Sequence, residues 1–425
     1  MTSRERVRLA LEHREADRAP LDLGGSPVTG MHVSSVYRLR QALGLEAPGT
    51  PVKVIEPYQM LGEIAPDLIA ALGVDVVPLG GPRTMFGFRN EGWKEWKTFD
   101  GTPVLAPEGF NTSPEPSGEL LMYPEGDRSA PPSGRMPAGG YYFDAIIRQE
   151  PIDEAALSVE DNLEEFGPIS EADLEHFRTR AEALHTQTDK AILANFGGTA
   201  FGDIALVPAP WLKHPRGIRD VEEWYVSTVT RRDHLHRIFE RQCEFGIANL
   251  ERLRQAVRDR VSVVFVSGTD FGTQQGPFVS PQTYRDLYRP FHRAVNDWIH
   301  QHTTWRTFLH TCGSVFALLE DFIAAGFDIL NPVQTSAAHM DPAELKRKFG
   351  ERITFWGGGV DTQRTLPFGT AEEVRQEVRA RLRIFGPGGG YVFNSIHNLQ
   401  AGVPTENLLA CYQAFRENCA YPLGG

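Results

Sequence analysis

The sequence predicts an α/β protein of the (β/α)8 TIM-barrel class, with an N-terminal extension and one Pro/Gly-rich insertion. Three observations carry this. Short apolar or β-branched runs alternate with helical patterns through most of the chain, which implies parallel βαβ units. The number of such units, over roughly 350 residues, suits a closed barrel. No strand leads into the G-x-G-x-x-G helix opening of a doubly wound, dinucleotide-binding sheet.

The elements follow in order. "SRERVRLALEH" has apolar residues at helical spacing, and "RAPLDLGG" is a short strand ending in glycines. "YQMLGEIAPDLIAALGVDVVPLGG" reads as a helix, a tight connection and a buried strand at Val74–Leu79. From about residue 80 to 151 the chain is rich in Pro and Gly, with short Trp- and Phe-containing pieces. Antiparallel hairpins fit that stretch better than a helix–strand repeat, and it is expected to be an insertion, a lid or an oligomer contact within one barrel domain spanning 1–425. Ser170 and Asp173 open the helix "SEADLEHFRTRAEAL", and "AILANFGG" is a strand. "VEEWYVSTVTRRDHLHRIFERQCEFGIANLERLRQAV" divides into two or three helical segments, before the β-branched run "VSVVFVSGTD". Ser280 and Pro281 open the helix "SPQTYRDLYRPFHRAVNDWIHQH". The last third repeats strand and helix four times, beginning with "RTFLH", "DILNPV", "ITFWGG" and "GGYVFN"; Asp341 with Glu344 and Thr370 with Glu373 mark two of the helix starts.

The chain of 425 residues carries 43 basic and 55 acidic side chains, a formal charge of −12. That balance argues against nucleic acid or an anionic membrane surface as partner. No apolar stretch approaches the roughly 20 residues of a membrane span, and the start lacks the apolar core of a secretory signal. Cys243, Cys312, Cys411 and Cys419 are too few and scattered for a disulfide scaffold, so a cytoplasmic protein with reduced thiols is expected.

In a barrel the C-terminal strand ends face the active site. Those positions hold Asp22, Asn195, Asp270, His310 with Cys312, Asn331 with Gln334, Asp361, and Asn394 with His397. A lone Asp or Asn there is commonly a turn former, a lone buried His a hydrogen-bonded one, and a lone Cys a small hydrophobe. The H-x-C pair is more informative, because both side chains leave a turning loop on one side and can reach one ion at roughly 2.0–2.3 Å. His397, just past another strand end, supplies a third donor. Three ligands with an open fourth position form the catalytic pattern for zinc.

At these residues the sequence resembles the uroporphyrinogen decarboxylase superfamily and, within it, the cobalamin-dependent methyltransferases similar to methylcobamide:coenzyme M methyltransferases. The resemblance lies in "RERVRLALEHREADRAPLDLGG", "GTDFGTQQGPFVSPQTYRDLYRPFHR", "HTCGSV", the stretch from "DILNPVQ" to "EEVRQEV", and "GGYVFNSIHNLQAGVPTENL". It covers the C-terminal third densely and the N-terminus loosely. It implies a barrel and zinc bound through H-x-C, matched by His310 and Cys312, plus a later cysteine, where this chain has His397. Two imidazoles and one thiolate leave the zinc unit with a net positive charge, making it a stronger Lewis acid.

The expectation is therefore a zinc-dependent methyltransferase or demethylase acting between a small methylated substrate and a corrinoid on a partner protein, since the chain lacks D-x-H-x-x-G. Asp270 is the expected proton-handling or ligand-orienting carboxylate. Asn195, Asn331, Gln334, Trp356, Asp361 and Asn394 are expected to line the substrate pocket, and a homodimer is compatible with the resemblance. Alternatives are a metal-dependent hydrolase or lyase on the same residues, a metal-free descendant, and a decarboxylase. The last is disfavoured because "DLGGSPVTGMHVSSVYRLRQ" lacks the "RQAGR…PE" type of carboxylate grip.

Overall fold

The computed structural model describes residues 1–423. Its centre is a parallel sheet of seven strands, adjacent in chain order: Val76–Leu79, Ala191–Ala194, Val263–Ser267, Arg306–His310, Ile329–Asn331, Thr354–Trp356 and Tyr391–Val392. Residues 20–22 join its two edges. Leu21 bridges Phe393 in parallel. Phe393 N donates to Pro20 O at 2.8 Å, Asp22 N to Phe393 O at 2.9 Å, and Asp75 N to Leu21 O at 2.8 Å. This eighth stave closes the barrel, as the sequence predicts. Inward-facing Leu193, Phe265, Phe308, Ile329, Trp356 and Val392 fill the interior, and Val7, Ala10 and Leu11 of the helix Ser3–Leu11 plug its N-terminal end.

The closing stave is held by a buried ionic knot. Asp75 is fully buried. Its carboxylate takes Arg6 Nη1 at 2.7 Å, Arg18 Nη1 at 2.8 Å, Ser3 Oγ at 2.8 Å and the Leu21 backbone N–H at 2.8 Å. One carboxylate thus ties the N-terminal helix, the closing stave and the start of the next strand.

The insertion is built of antiparallel pairs, as its composition predicts. Lys94–Lys97 pairs with Pro103–Ala106, which also runs parallel to Val52–Glu56; Leu120–Met122, Gly134–Met136 and Asp144–Ala145 form a second small sheet. Phe86, Phe110 and Phe143 meet edge to face at its centre, with Phe143 5.7 and 6.0 Å from the other two rings.

Two expectations are corrected. The stretch from Tyr58 does not begin as a helix: Leu61–Gly62 pairs back onto Val52–Glu56, and the helix is only Pro66–Leu72. Pro66 forbids helical continuation from residue 65 and instead opens the helix at its first position, and the strand that follows starts at Val76 rather than Val74. The helix after Ser280 is not uniform either. It contains a π-turn at Tyr284–Tyr288, where Arg289 N reaches back to Tyr284 O. Pro290 follows, and the widened turn accommodates a residue with no N–H to donate. Elsewhere the predicted caps hold, with Ser170, Ser280, Asp341 and Thr370 each accepting the backbone N–H three residues on.

Replacing Asp75 by Ala strands two guanidinium groups in or near the core. We expect a loss of about 3–5 kcal/mol in urea unfolding, and a loss under 1 kcal/mol would contradict the knot's role in closure.

Candidate metal centre

The strand Arg306–His310 is apolar up to its last residue, so His310 emerges where the barrel interior ends. Gly313 then turns the chain with φ 85°, and a Cβ there would lie 2.4 Å from the Gly272 backbone. Only glycine lets these two loops touch, and Ser314 N donates to Thr273 O at 2.7 Å across the contact. Between His310 and Gly313 the chain presents Cys312. Its backbone N–H donates to Asp270 Oδ1 at 2.6 Å, and Gly313 N donates to Gln334 Oε1 at 2.7 Å.

His397 arrives from the loop after Tyr391–Val392. One donor atom each from His310, Cys312 and His397 lies within 4.8 Å of the others. Cys312 Sγ is 3.5 Å from His310 Nε2, and the two imidazole centroids are 5.3 Å apart at 70°. Donors of a tetrahedral zinc with bonds of roughly 2.0–2.3 Å stand about 3.5 Å apart. The donor set fits that ion, and so does the separation of Cys312 Sγ from His310 Nε2.

The supporting bonds also fit a metal. Asn331 Nδ2 donates to Trp356 O at 2.8 Å, so Asn331 Oδ1 is the acceptor toward His310 Nδ1, 2.6 Å away. His310 therefore carries its proton on Nδ1 and keeps the Nε2 lone pair free, the tautomer assigned by the network. Trp356 Nε1 in turn donates to Asp22 Oδ2 at 2.8 Å. Burial pushes the His310 and His397 imidazoles down to about 4, so both are neutral near pH 7. Burial, and then the Asp270 charge, push the Cys312 thiol well up. Burial raises Asp270 as well, against the pull of the Cys312 N–H.

The other sequence-expected residues fall into two groups. Asn331 and Gln334 belong to the centre, but each spends its side chain on positioning, and Asn331 is fully buried. Trp356 is likewise fully buried in the barrel interior, beneath the centre. Asn394 Nδ2 donates to Asp22 O at 2.9 Å, while its Oδ1 is buried without a partner. Asn195 and Asp361 are turn formers: Asn195 Oδ1 accepts Gly197 N at 3.2 Å and Asp361 Oδ1 accepts Gln363 N at 2.7 Å. Three residues escaped the sequence reading. Tyr225 Oη donates to Asp270 O at 2.8 Å. Asp203 and Glu56 are carboxyls that burial raises to about 7. None of the three sits at a strand end of the barrel, so position gave no signal for them.

Fold and site together define a (β/α)8-barrel protein with a His/Cys donor triad at the C-terminal mouth. The chain belongs to the uroporphyrinogen decarboxylase (URO-D) family, whose profile matches residues 204–418, half of its length. It is 26% identical over 165 residues to a uroporphyrinogen decarboxylase of Pseudoalteromonas translucida, covering 37% of this chain and 44% of that protein. It is 37% identical over 68 residues to one from Psychromonas ingrahamii, covering 16% of this chain and 18% of that one. The matched stretches thus span less than half of either relative. A solved methyltransferase from Methanosarcina mazei shares the fold with a TM-score of 0.56 and 16% identity, over 98% of this chain and 99% of the other.

Two outcomes are expected at this centre. Asn331→Ala removes the acceptor that fixes the His310 tautomer, and zinc affinity measured by chelator competition should fall about 10–100-fold. Proton competition should come from the thiol alone, because both imidazoles are already neutral above pH 5. Zinc affinity should therefore rise about tenfold per pH unit between pH 6 and 8; a flat profile would remove Cys312 from the ligand set.

Proposed function

We propose that this protein is a zinc-dependent methyltransferase or demethylase, moving a methyl group between a small O-, N- or S-methylated substrate and a corrinoid held by a separate protein. The observation that carries the reading is the convergence of His310, Cys312 and His397 at the barrel mouth. The full-length likeness to a methyltransferase fold is compatible with it.

Zinc, when bound, would act as a Lewis acid toward the methyl-bearing heteroatom, stabilising the charge that grows there during transfer. The chain's own residues prepare that chemistry. Asn331 holds His310 with Nε2 outward, and Gln334 fixes the loop that carries Cys312. Asp270 holds the Cys312 backbone, and its carboxyl also lies against the thiol, where it can relay to solvent the proton released when the thiolate becomes a ligand.

A polycarboxylate substrate is poorly served here. Within the stretch after the closing stave the arginines are Arg38 and Arg40, and both are spent elsewhere. Arg40 holds Asp67 and Glu46, and Arg38 donates to the carbonyls of Ala401 and Val403. A decarboxylase acting on such a substrate would need those cations free.

The test uses protein purified without a histidine tag, assayed for zinc and for methyl transfer from a panel of methylated compounds to reduced cobalamin. We expect about one zinc per chain and methylcobalamin formation, both lost in Cys312→Ala. Substrate turnover that ignores cobalamin would favour a metal-dependent hydrolase or lyase instead.

A further inference from the structure

Asp203 lies off the staves, in the loop that follows Ala191–Ala194, yet that loop is strapped to the strand end carrying Asp270. Thr199 Oγ1 donates to Val266 O at 2.6 Å, and Thr269 Oγ1 donates to Phe201 O at 2.8 Å. The residue is 8% exposed. Oδ1 accepts the Ala205 N–H at 3.0 Å, while Oδ2 has no hydrogen-bond partner among the described residues. That oxygen rests over Gly268, where an added Cβ would come within 2.7 Å of it. Gly268 is two residues before Asp270, which backs Cys312.

Oδ2 keeps some contact with solvent on an otherwise largely buried carboxyl, so it is open to a hydrogen bond from a ligand that supplies a donor. The surrounding charge narrows the donor's identity. Asp203 and Asp270 both act on the Cys312 thiol. No arginine or lysine is paired with either carboxyl among the described residues; Arg148, in the insertion, spends its guanidinium on the carbonyls of Ala209, Leu212 and Lys213. A negatively charged group next to two carboxyls is disfavoured, and a hydroxyl or ammonium is favoured.

We propose that Asp203 Oδ2 is a substrate-recognition atom that accepts a hydrogen bond from a hydroxyl or protonated amine of the methylated substrate, so that the site selects neutral or cationic compounds over carboxylates. This rests on the reading of the barrel mouth as a substrate site.

Isothermal titration of the zinc-loaded full chain with three probes that differ only at one end tests it: 2-methoxyethanol, 2-methoxyethylammonium and methoxyacetate. The first two should bind, and methoxyacetate should bind at least tenfold more weakly. Asp203→Asn should weaken the ammonium probe at least tenfold, and more than the neutral probe, with zinc content unchanged. Gly268→Ala, whose methyl displaces Oδ2, should do the same and serves as the variant if Asp203→Asn does not fold. The proposal is overturned if methoxyacetate binds as well as the others, if no probe binds, or if the variants leave the ammonium affinity unchanged. Probe selectivity without methyl transfer to cobalamin would sink the corrinoid reading and leave this one standing; methyl transfer without selectivity would do the reverse.

Discussion

Closure of the barrel by residues 20–22 is the constraint on which the site depends. Asp75 clasps Leu21 through its backbone N–H, and the next residue, Asp22, receives the Trp356 indole N–H. Trp356 O receives Asn331, and Asn331 receives His310. A connected path of hydrogen bonds and backbone therefore runs from the ionic knot at the closing stave, through the barrel interior, to the imidazole that would face a metal. Each link is buried, where an unpaired partner is expensive, so the links select one arrangement jointly. The orientation of His310 is in this sense a property of the closed barrel.

The electrostatics of the mouth point the same way. Two neutral imidazoles and a thiol form a donor set that gains charge only when the thiol ionises, and the Asp270 carboxyl lies against that thiol. The carboxyls of Asp203 and Asp270 both act on the Cys312 thiol, and neither is paired with arginine or lysine among the described residues. A divalent cation is the natural complement to such a set, because it restores the charge that burial otherwise penalises.

Much of this was legible in the sequence because it depends on local rules. The alternation of strand and helix, the caps at Ser170, Ser280, Asp341 and Thr370, and the strand-end placement of His310, Cys312 and His397 all follow from short-range patterns. What stayed hidden depends on contacts between distant segments. Asn331, Gln334 and Trp356 were expected to line the substrate pocket; the fold turns Asn331 toward His310, Gln334 toward the loop that carries Cys312, and Trp356 into the barrel. Asp203 and Glu56 lie away from the barrel strand ends, and only burial distinguishes them from turn carboxylates. The π-turn before Pro290 and the short strand Leu61–Gly62 show how proline and long-range pairing override a helical pattern.

The most direct test of the central claim is X-ray absorption at the zinc edge on protein purified without a tag. A first shell with one sulfur at about 2.3 Å and two imidazole nitrogens at about 2.0 Å, plus one light atom, is the predicted result. An absence of zinc, or a shell without sulfur, would contradict the assignment of His310, Cys312 and His397 as a metal centre.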